Sequence, residues 1–330
     1  MPVTLNLGER EATDMESDPS LSLAPGSPSL DAFAEPLLVD PEPTLLVTVL
    51  EAFQNAVPSL VDPDLDELRA ATGVDGDQFT DAVELSTLTI LAEETVLDRF
   101  TDSFRSASRL AALVEAGVCR VLTGISPQPN TVLAGMDAGC VLVSHTDSDD
   151  ADSDRDSAES ADCAATPDRW IQLGDDASLR DRYTSLTEES GEIGEYRIRT
   201  PSRHRMHTAF QNRCDDELAD DVVRSLDTDP DPNGGDGRVD PRTRAYAAGV
   251  CHGALDGDLR RACEDAGLGS HSTFTRIKRE LREAGLLTTE LVPQPVGRPR
   301  ERLVATGMLA DAAETTFDPS AVIEAIRDAR

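Results

Sequence analysis

A four-residue turn, Gly267-Leu268-Gly269-Ser270, separates two short stretches whose apolar side chains recur at helical spacing. The stretch before it, 258–266, places Leu259, Ala262, Cys263 and Ala266 on one face. The stretch after it, 272–284, sends Phe274, Ile277, Leu281 and Ala284 inward and Thr275, Arg276, Arg279 and Arg282 outward, and Gly285 ends it. Upstream, 241–255 reads as a further helix, with Asp240 as N-cap, Pro241 at the first turn, and Tyr246, Val250 and Ala254 buried. Downstream, 286–292 and 300–305 read as two strands joined by Pro293-Gln-Pro-Val-Gly-Arg-Pro299. So short a turn holds two amphipathic helices at a steep angle, and the third helix and the hairpin must cover their apolar faces. This pattern predicts a winged helix-turn-helix over 238–305.

Charge separates this stretch from everything else. The 330 residues carry 63 acidic and 30 basic side chains, a net of −33. Residues 238–302 hold 12 basic and nine acidic side chains, so they are net +3 and the other 265 residues carry −36. Asymmetry of this kind points to a polyanionic partner for the basic segment. The general acid excess reads differently. Apolar content is 39%, close to that of an ordinary globular chain and too high for a disordered acidic one. An aspartate-rich surface almost without lysine fits a protein working in molar salt, where charge is screened within roughly 3 Å.

Only one of the 30 basic residues is lysine, Lys278 in Arg-Ile-Lys-Arg. This excludes a phosphate-binding Gly-Lys-Ser/Thr loop, Schiff-base chemistry, the kinase strand lysine and the Ser-x-x-Lys hydrolases. Nothing resembles a signal peptide, and no run approaches 18 apolar residues. The expectation is a soluble cytoplasmic protein with no membrane partner. Six cysteines without a Cys-x-x-Cys pair read as core thiols of a reducing compartment.

The rest of the chain divides by composition. Residues 1–36 are acidic and proline-punctuated, which predicts a disordered tail. Residues 37–226 read as an α/β regulatory or dimerisation domain. Strands are expected at 37–39, 87–92, 118–122 and 196–198, and one helix runs over 94–116. A hairpin joins 132–136 to 140–143 through Asp-Ala-Gly, and a helix or two fill 201–226. An acidic insertion occupies 144–168, a linker 227–237, and a C-terminal helix segment 306–330, with the helix itself at 319–329. That last helix presents Val322, Ala325, Ile326 and Ala329 on one face, suited to a dimer seam or to docking within the chain. The fold class is therefore α/β, an N-terminal and middle α/β regulatory domain followed by a winged helix-turn-helix.

The segment 239–303 carries Arg-Ala-Tyr, Gly-Ala-Leu-Asp-Gly-Asp-Leu-Arg-Arg-Ala, Ser-Thr-Phe-Thr-Arg-Ile-Lys-Arg-Glu-Leu and Gly-Arg-Pro-Arg-Glu-Arg-Leu. With these it resembles the end of the TbsP family, transcriptional regulators of halophilic archaea associated with control of carbon-metabolism genes. The middle domain is similar in strand–helix order and in Arg-Thr-Pro-Ser-Arg at 199–203. The resemblance implies a non-enzymatic, sequence-specific DNA-binding regulator without a cofactor.

The candidate DNA-contacting residues follow from the motif. His271, Ser272, Thr273 and Thr275 stand at the start of the recognition helix, where side chains meet base edges. Arg276 and Arg279 suit guanine or phosphate. Arg298, Arg300 and Arg302 belong to a narrow cationic wing suited to a minor groove or its phosphates. The expected partners are a double-stranded promoter operator, a second copy of the chain and an unspecified small effector. The competing readings are a small helical bundle whose arginines only face solvent, and a metabolite-binding or interaction protein whose working part is the α/β domain. Two weaker constellations lead elsewhere. His204, His207 and Cys214 lack a fourth zinc ligand and read better as part of a basic patch with Arg203 and Arg205. The Asp229–Asp240 segment mimics a calcium loop but has Asp236 at its eighth place and Asp at its twelfth. No metal is expected.

Overall fold

The computed structural model describes residues 21, 29–71, 87–143, 169–174, 178–189, 193–228, 239–313 and 317–329. The expected insertion at 144–168, the calcium-like segment up to residue 238 and most of the acidic tail lie outside them. The first half of the chain builds a mixed sheet. Its elements are β1 (Leu37–Val39), α1 (Pro43–Ala56), α2 (Pro58–Val61), α3 (Leu65–Ala70), β2 (Leu88–Ala92), α4 (Glu94–Thr101), α5 (Phe104–Glu115) and β3 (Cys119–Thr123). These are followed by β4 (Val132–Ala134), β5 (Gly139–Val143), β6 (Arg169–Gly174), α6 (Ser178–Glu189) and β7 (Gly194–Glu195).

The seven strands lie in the order β6-β5-β4-β1-β2-β3-β7. The central β1, β2 and β3 are parallel, because helical crossovers join them, while β4 to β7 run antiparallel. Both faces of the centre are covered, so its strands are continuous apolar runs. Leu38, Ile90, Val121 and Leu133 face Leu46, Phe53, Leu97, Leu110 and Leu113 from the helices. On the opposite face Val39, Leu91, Leu122 and Val132 pack under Tyr183 of α6. The β4–β5 hairpin forms as expected, with Ala134 opposite Gly139.

Three local expectations change. The helix expected over 94–116 breaks at Ser103, whose backbone is extended (φ −76°, ψ 124°). An unbroken helix would put Phe100 and Phe104 on one face; the break sends Phe100 into the sheet core and Phe104 into a second, helical core. The strand expected at 196–198 stops at Glu195, although the Tyr196 N–H still donates to the Val121 carbonyl (2.9 Å). Residues 29–36, grouped with the tail, contain a 3-10 turn at Leu30–Ala32. Leu30 and Phe33 are buried there, and the Leu30 N–H donates to Leu21 O. Apolar side chains too few to show periodicity still cover the sheet core.

The second half comprises α7 (Arg203–Arg213), α8 (Asp216–Asp227), α9 (Pro241–Cys251), α10 (Asp256–Asp265), α11 (His271–Glu283), β8 (Leu287–Val292), β9 (Arg300–Ala305), α12 (Met308–Ala313) and α13 (Pro319–Asp328). The helices α7 and α8, grouped with residues 37–226 by composition, bury Met206, Phe210, Leu218 and Val222 in one core with Tyr246, Leu259, Phe274 and Ile277. The C-terminal helix expected at 319–329 forms as α13, and the short α12 precedes it in the same segment. Val322, Ala325 and Ile326 of α13 are 0%, 4% and 1% exposed, packed against α8 and α9. Intramolecular docking therefore consumes this face, and it is no seam between copies.

Two joints hold the halves together. Asp62, beside α2, accepts from Arg105 (3.1 Å), Arg109 and Arg203, and Arg203 also pairs with Asp227 (2.8 Å). Burial raises the Asp62 carboxyl pKa, but the hydrogen bonds from Arg109 and Arg105 outweigh it and hold the group below its ordinary value. Arg69 of α3 bonds Asp220 of α8, which also meets His207 at 3.1 Å. The basic patch expected at 203–207 is thus largely drawn into these joints: Arg203 and His204 are half-buried and His207 is buried, while Arg205 stays exposed. His204 Nε2 lies 2.9 Å from the Ser59 carbonyl, and Arg205 reaches Glu115 at 3.7 Å and the Asp265 carbonyl at 3.3 Å.

Candidate nucleic-acid interface

Helix α9 starts as its sequence dictates: the Asp240 side chain accepts from Arg242 N–H (2.9 Å), with Pro241 in the first turn. The Arg242 side chain then donates to the Leu268 carbonyl (2.6 Å), tying α9 to the turn between α10 and α11. Leu268 itself is 3% exposed, the single apolar anchor of that turn. Gly267 and Gly285 close α10 and α11 with φ of +84° and +73°, where a Cβ would be strained.

Helix α11 is amphipathic as expected. Phe274, Ile277 and Leu281 are buried, and Phe274 stacks on Tyr246 of α9 with ring centroids 6.0 Å apart. Ala284, expected inward, is instead the exposed C-cap, beyond the reach of the core. His271, Ser272, Thr275, Arg276, Arg279 and Arg282 are exposed, and Thr273 is half-buried. Arg276 pairs with Glu280 at 2.8 Å and Arg279 with Glu283 at 3.9 Å, both one turn along the same helix. Exposed pairs of this type contribute about 0.3–0.5 kcal/mol, so the guanidiniums can exchange glutamate for phosphate or base at little cost.

The hairpin forms with Leu287 opposite Ala305 and Val292 opposite Arg300. Gly297 (φ +103°) shapes its tip, where Arg298 is exposed and Val296 is 91% exposed. The three wing arginines separate. Arg298 stands at the tip, Arg300 is half-buried and paired with Asp258 of α10, and Arg302 is exposed lower on β9, opposite Glu290. The Arg300 pair docks the wing onto α10.

One feature escaped the periodicity. Asp256, at the start of α10, is 2% exposed and accepts from Tyr246 Oη (2.6 Å), Lys278 Nζ (2.9 Å) and Arg260. Burial pushes its carboxyl up, but the Tyr246 and Lys278 hydrogen bonds with the two cations bring it below its ordinary value. The one lysine of the chain also pairs with Glu301 of β9. A single carboxylate thus links α9, α10, α11 and, through Lys278, the wing. The Asp256–Arg260 spacing of four residues was the available signal; only packing identifies Tyr246 and Lys278 as the other donors.

Among the described residues no helix is long and apolar enough to cross a membrane, and no three metal-ligating side chains converge. No curated protein and no solved structure gives a match. Residues 202–327, from the Ser202 N-cap of α7 into α13, match the family model described as the C-terminal helix-turn-helix domain of TbsP-like transcriptional regulators, and this part of the chain is similar to that domain.

Proposed function

We propose that the chain is a sequence-specific DNA-binding transcriptional regulator, with carbon-metabolism genes among its targets as the family resemblance implies. The carrying observation is α11: one face is locked into the core by Phe274, Ile277 and Leu281, while the other offers hydroxyls, His271 and three arginines in a chain otherwise coated with acid. In this reading the recognition helix enters the major groove through His271, Ser272, Thr273, Thr275, Arg276 and Arg279. Arg298, Arg300 and Arg302 meet the flanking backbone or minor groove. The α/β unit serves dimerisation or effector sensing, and Arg69–Asp220 and Arg203–Asp62 connect it to the DNA-reading helices. Operators read by this motif are commonly pseudo-palindromic, which supports a homodimer. In this reading the α/β unit supplies the contact. The acidic coat supports work in concentrated salt. Chromatin immunoprecipitation tests the proposal: discrete promoter peaks are expected, and a flat profile overturns it in favour of an α/β domain with a purely structural helix-turn-helix.

A further inference from the structure

We infer that Arg260 is a positioning residue that sets the hydrogen-bond polarity of the recognition helix, making His271 a donor and Thr275 an acceptor toward bases. The inference rests on the DNA-binding reading above. Arg260 lies on α10, not on the recognition helix, and its side chain is only 16% exposed. One end nitrogen is anchored on the buried Asp256 carboxylate. The other, Nη1, lies 2.9 Å from His271 Nε2 and 3.0 Å from Thr275 Oγ1.

A guanidinium can only donate. His271 Nε2 must therefore accept, and the proton of the neutral ring sits on Nδ1. Through its remaining nitrogen the ring can only donate. Thr275 is constrained in the opposite sense. Its hydroxyl accepts from Arg260 and gives its one proton to the His271 carbonyl (2.9 Å). What remains is a lone pair, which can only accept. The two side chains stand one helical turn apart on the exposed face of α11. In the major groove, His271 then suits an acceptor edge, such as guanine N7 and O6 or thymine O4. Thr275 suits the amino group of adenine or cytosine. A free histidine and a free threonine would accept either polarity, so fixing both turns two permissive contacts into selective ones. The anchor is rigid because Asp256 is held independently by Tyr246 and Lys278.

The test uses the full chain. Its five histidines keep a nitrogen-15 histidine spectrum readable, and His271→Gln identifies the resonance of interest. Wild type should show the Nδ1–H tautomer at His271. Arg260→Met removes the donors, and Arg260→Lys keeps the cation beside Asp256 but loses the fork; both should shift His271 toward Nε2–H. Selection from randomised DNA should give wild type a preference of about tenfold at each of two positions. One should carry an acceptor edge and the other an amino base. Both variants should lose these two preferences and keep the others, with unchanged circular dichroism showing an intact fold. A wild-type Nε2–H tautomer, or base preferences unchanged in both variants, overturns the inference. If wild type selects no sequence at all, the proposed function and the specificity role fail together, while the tautomer still reports whether Arg260 orients His271.

Discussion

Gly249 lies inside α9 where α10 crosses it, and replacing it by alanine sets two effects of opposite sign against each other. Alanine improves helix propensity by about 1 kcal/mol over glycine. Its methyl would lie 2.4 and 2.5 Å from the two Leu259 methyl carbons and 3.0 Å from Leu259 Cγ. Carbon atoms pack favourably at about 3.5–4.0 Å, so the helices must separate or Leu259 must change rotamer. Leu259 is 0% exposed, walled in by the same core as Phe274 and Ile277, and has nowhere to swing. Overpacking of a closed site costs about 1–3 kcal/mol. A clash of roughly 1 Å belongs in the upper half of that range, and Gly249→Ala should destabilise by about 1–2 kcal/mol net. Leu259→Ala alone should cost about 2–5 kcal/mol through its cavity. In the double variant the overpacking disappears while the helix-propensity gain remains, so the combined loss should fall short of the sum by about 2–3 kcal/mol, the overpacking cost itself. Denaturant unfolding of the full chain, followed by far-ultraviolet circular dichroism, measures all three. Strict additivity, or stabilisation by Gly249→Ala, would refute the claim that this glycine sets the α9–α10 distance and thereby the placement of α11.

On the recognition helix, Arg276→Ala or Arg279→Ala should each cost about 1–3 kcal/mol of specific DNA binding and change stability by no more than about 0.5 kcal/mol; a double variant that binds its operator like wild type removes the assignment. Replacing Arg298 and Arg300 by alanine should reduce affinity most on A·T-rich flanks, and a loss equal on all flanks would limit the wing to phosphate contacts. Counterion release adds about −0.9 to the log–log salt slope per neutralised phosphate, but carboxylates near the interface take up cations as DNA approaches. The full chain should therefore show a shallow salt dependence, and a steep negative slope in potassium chloride titrations would refute the role given to the acidic coat. Asp62 has its native pKa depressed below 3.8 by Arg109, Arg105 and Arg203. Its contribution is complete above that value and is lost as pH falls through the lower native one. Asp62→Asn should flatten this acid limb of stability, and an unchanged limb in acid unfolding would place the effect elsewhere.

The helices α9, α10 and α11 and the β8–β9 wing were legible in the sequence because each is a local pattern. Apolar residues at helical spacing, an Asp-Pro start, and glycines where the chain must turn left-handed need no distant partner to be recognised. The charge step at 238–302 was equally local, and it singled out the exposed arginines of α11 before any packing was visible. Spacing tells which face of a helix is apolar but not which other face covers it. Tertiary structure alone placed α7 and α8 in one core with α9, α10 and α11, and it consumed the apolar face of α13 within the chain. It also broke 94–116 at Ser103, so that Phe100 and Phe104 could serve two different cores. The same holds for charge. Arg203 and Lys278 look like any other cations in the sequence, and buried carboxylates 141 and 22 residues away, in the joint and the hub, give each its role. Those partners are chosen by packing and by the cost of leaving a charge unpaired away from water, a choice that no window of neighbouring residues contains.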